Sequence, residues 1–161
     1  MVVLRPPRPG DAEVLVAGRD DEARRWLGAG DPAPSPTAVV EVGGEVVGWV
    51  DADPEPPWLA TGQVNVGYSL FAAHRGCGYA SRAVRLLLDR LAQDDTVTSA
   101  ALLIDRVNER SLALARRLGC TLVGDVGTSV LFVHPLPPPA PPPSPSPPPS
   151  PSPPPPSRPP G

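Results

Sequence analysis

The sequence lacks lysine entirely, so arginine carries all 14 basic charges against 17 acidic residues, and the formal net charge is −3. Without a basic excess, the chain has no electrostatic footprint for binding duplex nucleic acid, and we expect no nucleic-acid partner. Aromatic residues are also scarce, with three Trp, two Tyr and two Phe. The core is therefore predicted to consist mainly of Val, Leu and Ala.

Cysteine and long apolar segments are equally sparse. Cys77 and Cys120 are too few for a disulfide framework and lack the spacing of metal ligands, so we expect reduced thiols and no metal site. No apolar run approaches the ~20 residues of a membrane span, and the segment 1–10 lacks the apolar core of a signal peptide. These absences predict a cytoplasmic protein without membrane contact.

Proline divides the chain into two parts. Of the 27 prolines, nine lie in residues 1–134 and 18 in residues 135–161. Because proline lacks the N–H group and has a fixed φ, the second part cannot form helix or central strand. We predict one folded domain over residues 1–134 and a disordered Pro/Ser-rich tail over 135–161. An alternative interpretation of the tail is a spacer or a ligand for a proline-binding partner domain.

Hydrophobic periodicity predicts the element order β α α β β β α β α β β, and hence an α+β fold with a mixed sheet and helices on both faces. The predicted helices lie within 11–18 and at Asp20–Leu27, Tyr79–Leu91 and Asn108–Leu118. The predicted strands are Val2–Arg5, Thr37–Val42, Val46–Val50, Gln63–Phe71, Val97–Ile104, Cys120–Val123 and Ser129–Val133. A hairpin turn at Gly43-Gly44-Glu45 joins the second and third strands.

The segment Leu70–Ser81 passes from strand through a turn into a helix, and the turn contains Arg75-Gly76-Cys77-Gly78-Tyr79-Ala80. Two glycines at such a junction let main-chain N–H groups converge, and the helix start adds unsatisfied donors. This arrangement suits a phosphate or diphosphate. The alternative is a turn that needs glycine only for its positive φ.

At this turn the chain resembles the GNAT N-acetyltransferase superfamily. Gly67-Tyr68-Ser69-Leu70 followed by Arg75-Gly76-Cys77-Gly78-Tyr79-Ala80 is similar to the family's acyl-CoA motif, R/Q-x-x-G-x-G/A. Asn108-Glu109-Arg110-Ser111 with Leu118-Gly119-Cys120 is similar to its N-x-x-S/A … L-G-F element, with Cys120 in place of Phe. The resemblance covers residues 2–133 and looks most like the branch that acetylates protein N-termini and related amines.

The resemblance implies a three-layer α/β/α fold with about seven mostly antiparallel strands, of which two central ones splay apart to admit acetyl-CoA. Its pantetheine arm would lie beside Ser69 and Leu70. Its diphosphate would be held by Arg75, Gly76, Cys77, Gly78, Tyr79 and Ala80. Asn108 would contact the CoA arm, although Asn is also a good helix N-cap and the two roles can coexist.

The same resemblance implies direct attack of an amine on the acetyl thioester, with a main-chain N–H near Tyr68 stabilising the oxyanion. Ser111 could reach the thioester sulfur, or be an ordinary first-turn serine. Asn65 stands where relatives often place a glutamate base, and Ala115 where many carry a tyrosine acid. We expect the acceptor mouth at the loops 28–37 and 51–62. A non-catalytic CoA-binding module and an interaction protein that uses its tail remain alternatives.

Overall fold

The structure is a computed structural model that describes residues 1–138 and 140–150. Within this part of the chain, strands and helices follow one another in the predicted order. The strands are β1 (Val2–Arg5), β2 (Ala38–Val42), β3 (Glu45–Asp53), β4 (Gln63–Leu70), β5 (Ser99–Asp105), β6 (Thr121–Val126) and β7 (Ser129–Pro135). The helices are α1 (Asp11–Ala17), α2 (Asp21–Leu27), α3 (Tyr79–Leu91) and α4 (Glu109–Arg117), with a 3-10 turn at Ala72–His74 ahead of α3.

One mixed sheet of seven strands carries the whole domain, in the order β1-β2-β3-β4-β5-β7-β6. Neighbouring strands run antiparallel except for β4 and β5, which are parallel because the helix α3 connects them as a crossover. The predicted mixed, mostly antiparallel sheet is confirmed. The parallel pair lies in the middle of the sheet.

Helices cover both faces of this sheet, as predicted. The apolar stripe predicted for α3 packs into one core cluster with α4 and the sheet residues Val40 and Leu102. On the opposite face, Val39 and Ala101 are 0% exposed and lie outside that cluster, as the alternation of strand side chains requires. Leu15 of α1 is buried outside it as well. Aliphatic and alanine side chains dominate both layers, as the scarcity of aromatics indicated.

Six of the seven strands differ from their predicted bounds by one to three residues at an end, and two of these differences have a clear cause. The strand predicted from Val97 begins at Ser99, because the Val97 N–H bonds to Asp94 O in a turn. The strand predicted as Cys120–Val123 runs from Thr121 to Val126, and all its residues are exposed. Hydropathy located β6 imprecisely because an edge strand without a buried face has no alternating pattern.

The packed part of the chain continues slightly past residue 134. Strand β7 ends at Pro135, and the next residue, Leu136, is buried and donates its N–H to Thr98 O at 3.0 Å. Residues 137, 138 and 140–150 are exposed and form neither helix nor strand. The rest of the predicted tail, residue 139 and residues 151–161, lies outside the described residues. None of the described helices has the length and apolarity to cross a membrane.

Candidate active site

A cleft opens where β4 and β5 stop pairing. Their parallel register holds only for Gln63 with Ser99, Val64 with Ala100 and Asn65 with Ala101, although both strands continue further. Beyond these pairs β4 stays bonded to β3 as far as Leu70, and β5 stays bonded to β7. The two strands therefore diverge while each keeps its outer neighbour. This is the splayed pair that the sequence resemblance implied.

The diverging strands leave main-chain groups facing each other across the gap. The Phe71 N–H bonds to Val47 O in the β3–β4 ladder, and in an antiparallel ladder this direction alternates from residue to residue. The N–H and C=O groups of Tyr68 must therefore point away from β3, into the cleft. In β5 the Arg106 N–H bonds to Thr128 O, on the β7 side. The main-chain groups of every second residue therefore point toward β7, and those of Leu103, an odd number of residues away, point toward the cleft. An extended ligand arm can pair with these groups as an added strand does.

The turn after β4 presents a second set of free donors. Among the described residues, no main-chain N–H from Gly76 to Ser81 donates a hydrogen bond to a protein acceptor. Gly76 and Gly78 have φ of 76° and 77°, and Gly78 is the N-cap of α3. A Cβ added at either glycine would meet nothing within 4 Å, so the space beside the amides is open. A turn that needed glycine only for its φ would not require this run of unpartnered amides.

These residues fit the diphosphate of coenzyme A. The free N–H groups lie at the start of a 13-residue helix, where the macrodipole adds positive potential. The turn and the divergent strands line one cleft of about 840 Å³, so a single ligand can reach both. Cys77 lies in the same turn with an exposed side chain. Tyr79 and Ala80 begin the helix and also line the cleft.

Arg75 is bonded within the protein through both its main chain and its side chain. Its N–H bonds to Ala72 O at 3.3 Å, and its Nε donates to Leu70 O at 3.0 Å. Its guanidinium forms a bidentate pair with Asp20, at 2.6 and 2.8 Å, and a further bond to Glu22 at 3.0 Å. The sequence resemblance placed Arg75 on the diphosphate. In the structure these bonds hold the turn against α2.

The Arg75 pairing shifts the pKa of its partner. The hydrogen bonds from the Arg75 guanidinium, and then the N–H of Ala23, lower the pKa of Asp20 far below its usual range. Asp20 thus caps α2 and anchors it to the turn with one carboxylate. Glu22 also accepts from Arg110 at the start of α4, at 3.4 Å. Helix α2 therefore links the two sides of the cleft.

The start of α4 closes the other side of the site. Asn108 is the N-cap, and its Oδ1 accepts the Ser111 N–H at 3.2 Å. Its amide Nδ2 has no partner in the described residues, so capping and a contact with the ligand are compatible. The Ser111 Oγ lies 2.8 Å from the hydroxyl of Tyr68 on β4. Asn108, Ser111 and Tyr68 all line the cleft.

Of the other residues that the sequence analysis named, some line the cleft and some do not. Leu70 lines the cleft with its N–H turned toward it, whereas the main chain of Ser69 bonds toward β3. Asn65 pairs with Ala101 at the last position before β4 and β5 diverge, and it does not line the cleft. Ala115 is 0% exposed and packs in the core, so its position does not face the cleft either.

The walls of the cleft include part of α2. Neither the loop 28–37 nor the loop 51–62 contributes a residue to the cleft; α2 does so with Glu22, Ala23, Trp26 and Leu27. Part of the 51–62 loop instead lines a separate cavity of about 360 Å³ beside Thr96 and Val97. Sequence reasoning missed the roles of Asp20 and Glu22 because their partners are distant in sequence. The acidic start of α2, at an Asp N-cap, was the one local signal.

Splayed strands with an amide-lined turn at their mouth define an acyl-transfer fold, and the comparisons identify which one. A family model described as an acetyltransferase (GNAT) domain matches residues 34–121. The chain belongs to the GNAT acetyltransferase family. No curated protein sequence matches it.

Solved structures share this fold at low sequence identity. Aminoglycoside acetyltransferase AAC(6')-Ib in complex with coenzyme A has a TM-score of 0.72 and 20% identity, covering 84% of this chain and 95% of that one. RimL, the ribosomal L7/L12 alpha-N-protein acetyltransferase in complex with coenzyme A, has a TM-score of 0.68 and 17% identity, covering 84% and 94%. RimJ of Mycobacterium smegmatis, in complex with CoA-disulfide, has a TM-score of 0.65 and 19% identity, covering 83% and 81%.

Proposed function

We propose that this protein transfers the acetyl group of acetyl-CoA to a primary amine, either a protein N-terminus or a small amine. The observation that carries the proposal is the coincidence of two donor sets in one cleft: the free amides of residues 76–81 and the unpaired main chain of Tyr68 and Leu103. The first set matches a diphosphate and the second an extended pantetheine arm. Family membership and the CoA-bound neighbours support the same ligand.

Each part of the bound co-substrate has a proposed set of contacts. Gly76, Cys77, Gly78, Tyr79 and Ala80 hold the diphosphate through their N–H groups. Leu70, Tyr68 and the Nδ2 of Asn108 hold the pantetheine arm. Ser69 contributes to the wall beside it. Arg75 keeps the turn in place through Asp20.

Chemistry in this cleft requires an amine that is already deprotonated, because Asn65, at the predicted base position, cannot accept the proton. Position 115, where relatives carry a tyrosine acid, holds a buried alanine. The N–H of Tyr68, free on the cleft side of β4, stabilises the negative charge on the acetyl oxygen. Ser111, with its hydroxyl at the cleft wall, supplies a proton donor for the sulfur.

A direct test combines binding with turnover. Isothermal titration is expected to show acetyl-CoA binding, and an assay for free CoA thiol is expected to show release with some member of a panel of N-terminal peptides and small amines. Failure of acetyl-CoA to bind would refute the proposal. Binding without release across the whole panel would favour a non-catalytic CoA-binding module, which the substitutions at Asn65 and Ala115 also support.

We further propose that the catalytic unit ends with β7 and Leu136, and that the proline-rich remainder lies outside it. The exposure of residues 137, 138 and 140–150 supports this boundary. The tail composition also suits a proline-binding partner domain, which affinity capture with wild-type protein and a chain ending at residue 136 would test. The two free cysteines fit a reducing compartment such as the cytoplasm.

A further inference from the structure

One hydrogen bond in the cleft has no role in the function proposed so far. It joins Tyr68 on β4 to Ser111 on α4, with 2.8 Å between the two hydroxyl oxygens. The residues are separated by 43 positions in sequence and lie on opposite arms of the splayed pair, since α4 follows β5. Both side chains line the cleft in which the acetyl thioester would lie.

We propose that Tyr68 is a positioning residue whose hydroxyl donates to Ser111 Oγ and thereby directs the Ser111 proton into the cleft, toward the sulfur of the bound thioester. The inference rests on the proposed acetyl transfer. It gives Ser111 the orientation that a proton donor needs. It also explains how the chain manages without a tyrosine at position 115, where Ala115 is buried.

Donor and acceptor capacity supports this direction of the bond. A serine hydroxyl has one proton and two lone pairs, and a phenol is the better donor of the two because its ordinary pKa is lower. Apart from Ser111, the Tyr68 hydroxyl has no hydrogen-bond partner in the described residues. When Tyr68 donates, the single Ser111 proton is left for another acceptor. The Ser111 main chain is meanwhile fixed by its bond to Asn108.

The surroundings keep Tyr68 protonated. Burial raises the pKa of the Tyr68 phenol above its ordinary value, against the opposing effects of the Ser111 bond and the Arg117 charge. The phenol therefore remains a donor at neutral pH. In the proposed role it does not titrate during the reaction, and it acts on the sulfur only through Ser111.

The transfer step then balances as follows. The neutral amine nitrogen donates its lone pair to the acetyl carbon, a C–N bond forms, and the C–S bond breaks with its electron pair going to sulfur. The Ser111 proton moves to that sulfur, and the serine oxygen recovers a proton, directly or through water, from the positively charged nitrogen of the newly acylated amine, which leaves a neutral amide. No oxidant or further reactant is required.

The test separates orientation of Ser111 from mere packing by a double-mutant cycle. Tyr68→Phe is expected to lower kcat about tenfold with little change in the KM for acetyl-CoA. Positioned acid catalysis contributes about 10²–10⁴-fold to a rate, and loss of the orientation of Ser111 should remove part of that contribution. Ser111→Ala is expected to lower kcat at least as much. The double variant should be no slower than Ser111→Ala, because Tyr68 acts only through Ser111.

A binding measurement gives a second readout that does not depend on turnover. A serine proton directed at sulfur should make CoA bind about threefold or more tighter than desulfo-CoA, the value of one modest hydrogen bond. This preference should disappear in both single variants. Thr96→Val, which removes a hydroxyl bonded at 2.6 Å to Asp94 outside the cleft, should keep both the preference and kcat.

The outcomes separate a failure of the proposed acetyl transfer from a failure of the role proposed for Tyr68. If the wild type binds no CoA or transfers no acetyl group, the proposed function fails. If the wild type is active and folded Tyr68→Phe retains the wild-type kcat and CoA preference, the Tyr68 inference is overturned. If Tyr68→Phe slows turnover equally in the Ser111→Ala background, Tyr68 acts independently of Ser111 and the inference is likewise overturned.

Discussion

Two glycine turns in this molecule have nearly the same local conformation but very different surroundings. Gly43 and Gly44, between β2 and β3, have φ of 60° and 86°. Gly76 and Gly78, before α3, have φ of 76° and 77°. In all four positions an added Cβ would meet nothing within 4 Å. By conformation and space alone, the two turns cannot be told apart.

They differ in where the chain goes next. At the hairpin, the flanking residues Val42 and Glu45 pair with each other, so the ladder resumes at once. At the second turn the chain leaves the sheet and enters a helix, whose first N–H groups have no upstream carbonyl partner. A positive-φ glycine is therefore weak evidence for a ligand site. The free amides beside it, facing a cleft, are much stronger evidence.

The largest expected effect comes from filling the space at the second turn. Gly78→Trp is expected to weaken acetyl-CoA binding at least about 100-fold, because the indole covers amides that would each form a charge-assisted bond to phosphate. Gly44→Trp introduces the same residue at a matched φ on the hairpin and should leave the affinity within about twofold of wild type. Isothermal titration of both folded variants measures the difference.

Equal losses in the two tryptophan variants would mean that strain at a positive-φ residue, and not a blocked site, caused the weakening. Equal retention would remove the turn from the binding site. Circular dichroism of each variant, compared with wild type, establishes that the fold is intact before the titrations are interpreted.

A smaller effect is expected from releasing the turn without filling it. Arg75→Gln removes the ion pairs with Asp20 and Glu22, and should weaken acetyl-CoA binding several-fold through a looser turn. Asp20→Asn keeps a good N-cap residue for α2 but breaks the same pair. The double variant should be no worse than Arg75→Gln, since the two side chains act as one unit. Additive losses in the titration would contradict this coupling.

The Asp20 carboxylate also predicts a pH dependence. Its pKa in the folded protein is depressed by Arg75, so the stability it contributes is complete above the unfolded pKa of about 4 and is lost as the pH falls below that. The urea midpoint of wild type should fall steeply from pH 4 to 2.5. Asp20→Asn should show a shallower fall, with a residual slope from Asp11, whose pKa Arg5 also lowers. Parallel curves would contradict the assignment.

The smallest effect is expected from removing the tail. A chain that ends at residue 136 retains every described residue of both turns and the cleft, so its acetyl-CoA affinity and urea midpoint should match those of the full chain. A loss of affinity in the titration would show that the proline-rich segment belongs to the CoA site.

Much of the fold followed from local patterns. The valine-rich pairs around Gly43-Gly44, the apolar stripe of α3 and the alternation along β4 each depend on residues close in sequence, and each was confirmed. The divergence of β4 and β5 was implied by the resemblance to the family's motifs. Composition and periodicity alone do not reveal where two parallel strands stop pairing.

The parts of the site that sequence did not predict are long-range contacts. Arg75 pairs with Asp20 across 55 positions, and Tyr68 with Ser111 across 43. The local signals at Asp20 and Tyr68 are weak, because an Asp before a helix is an ordinary cap and a tyrosine in a strand is an ordinary core residue. The contribution of α2 to the wall of the cleft depends on the same contacts.

The central claim is that the amides of residues 76–81 bind the diphosphate of coenzyme A. Titration of ¹⁵N-labelled protein with CoA, followed through its amide NMR signals, tests it residue by residue. The account predicts large shifts for Gly76 through Ser81 that saturate with the measured affinity, and unchanged signals for Gly43 and Gly44. Saturating CoA that left the signals of Gly76 through Ser81 in place would contradict it.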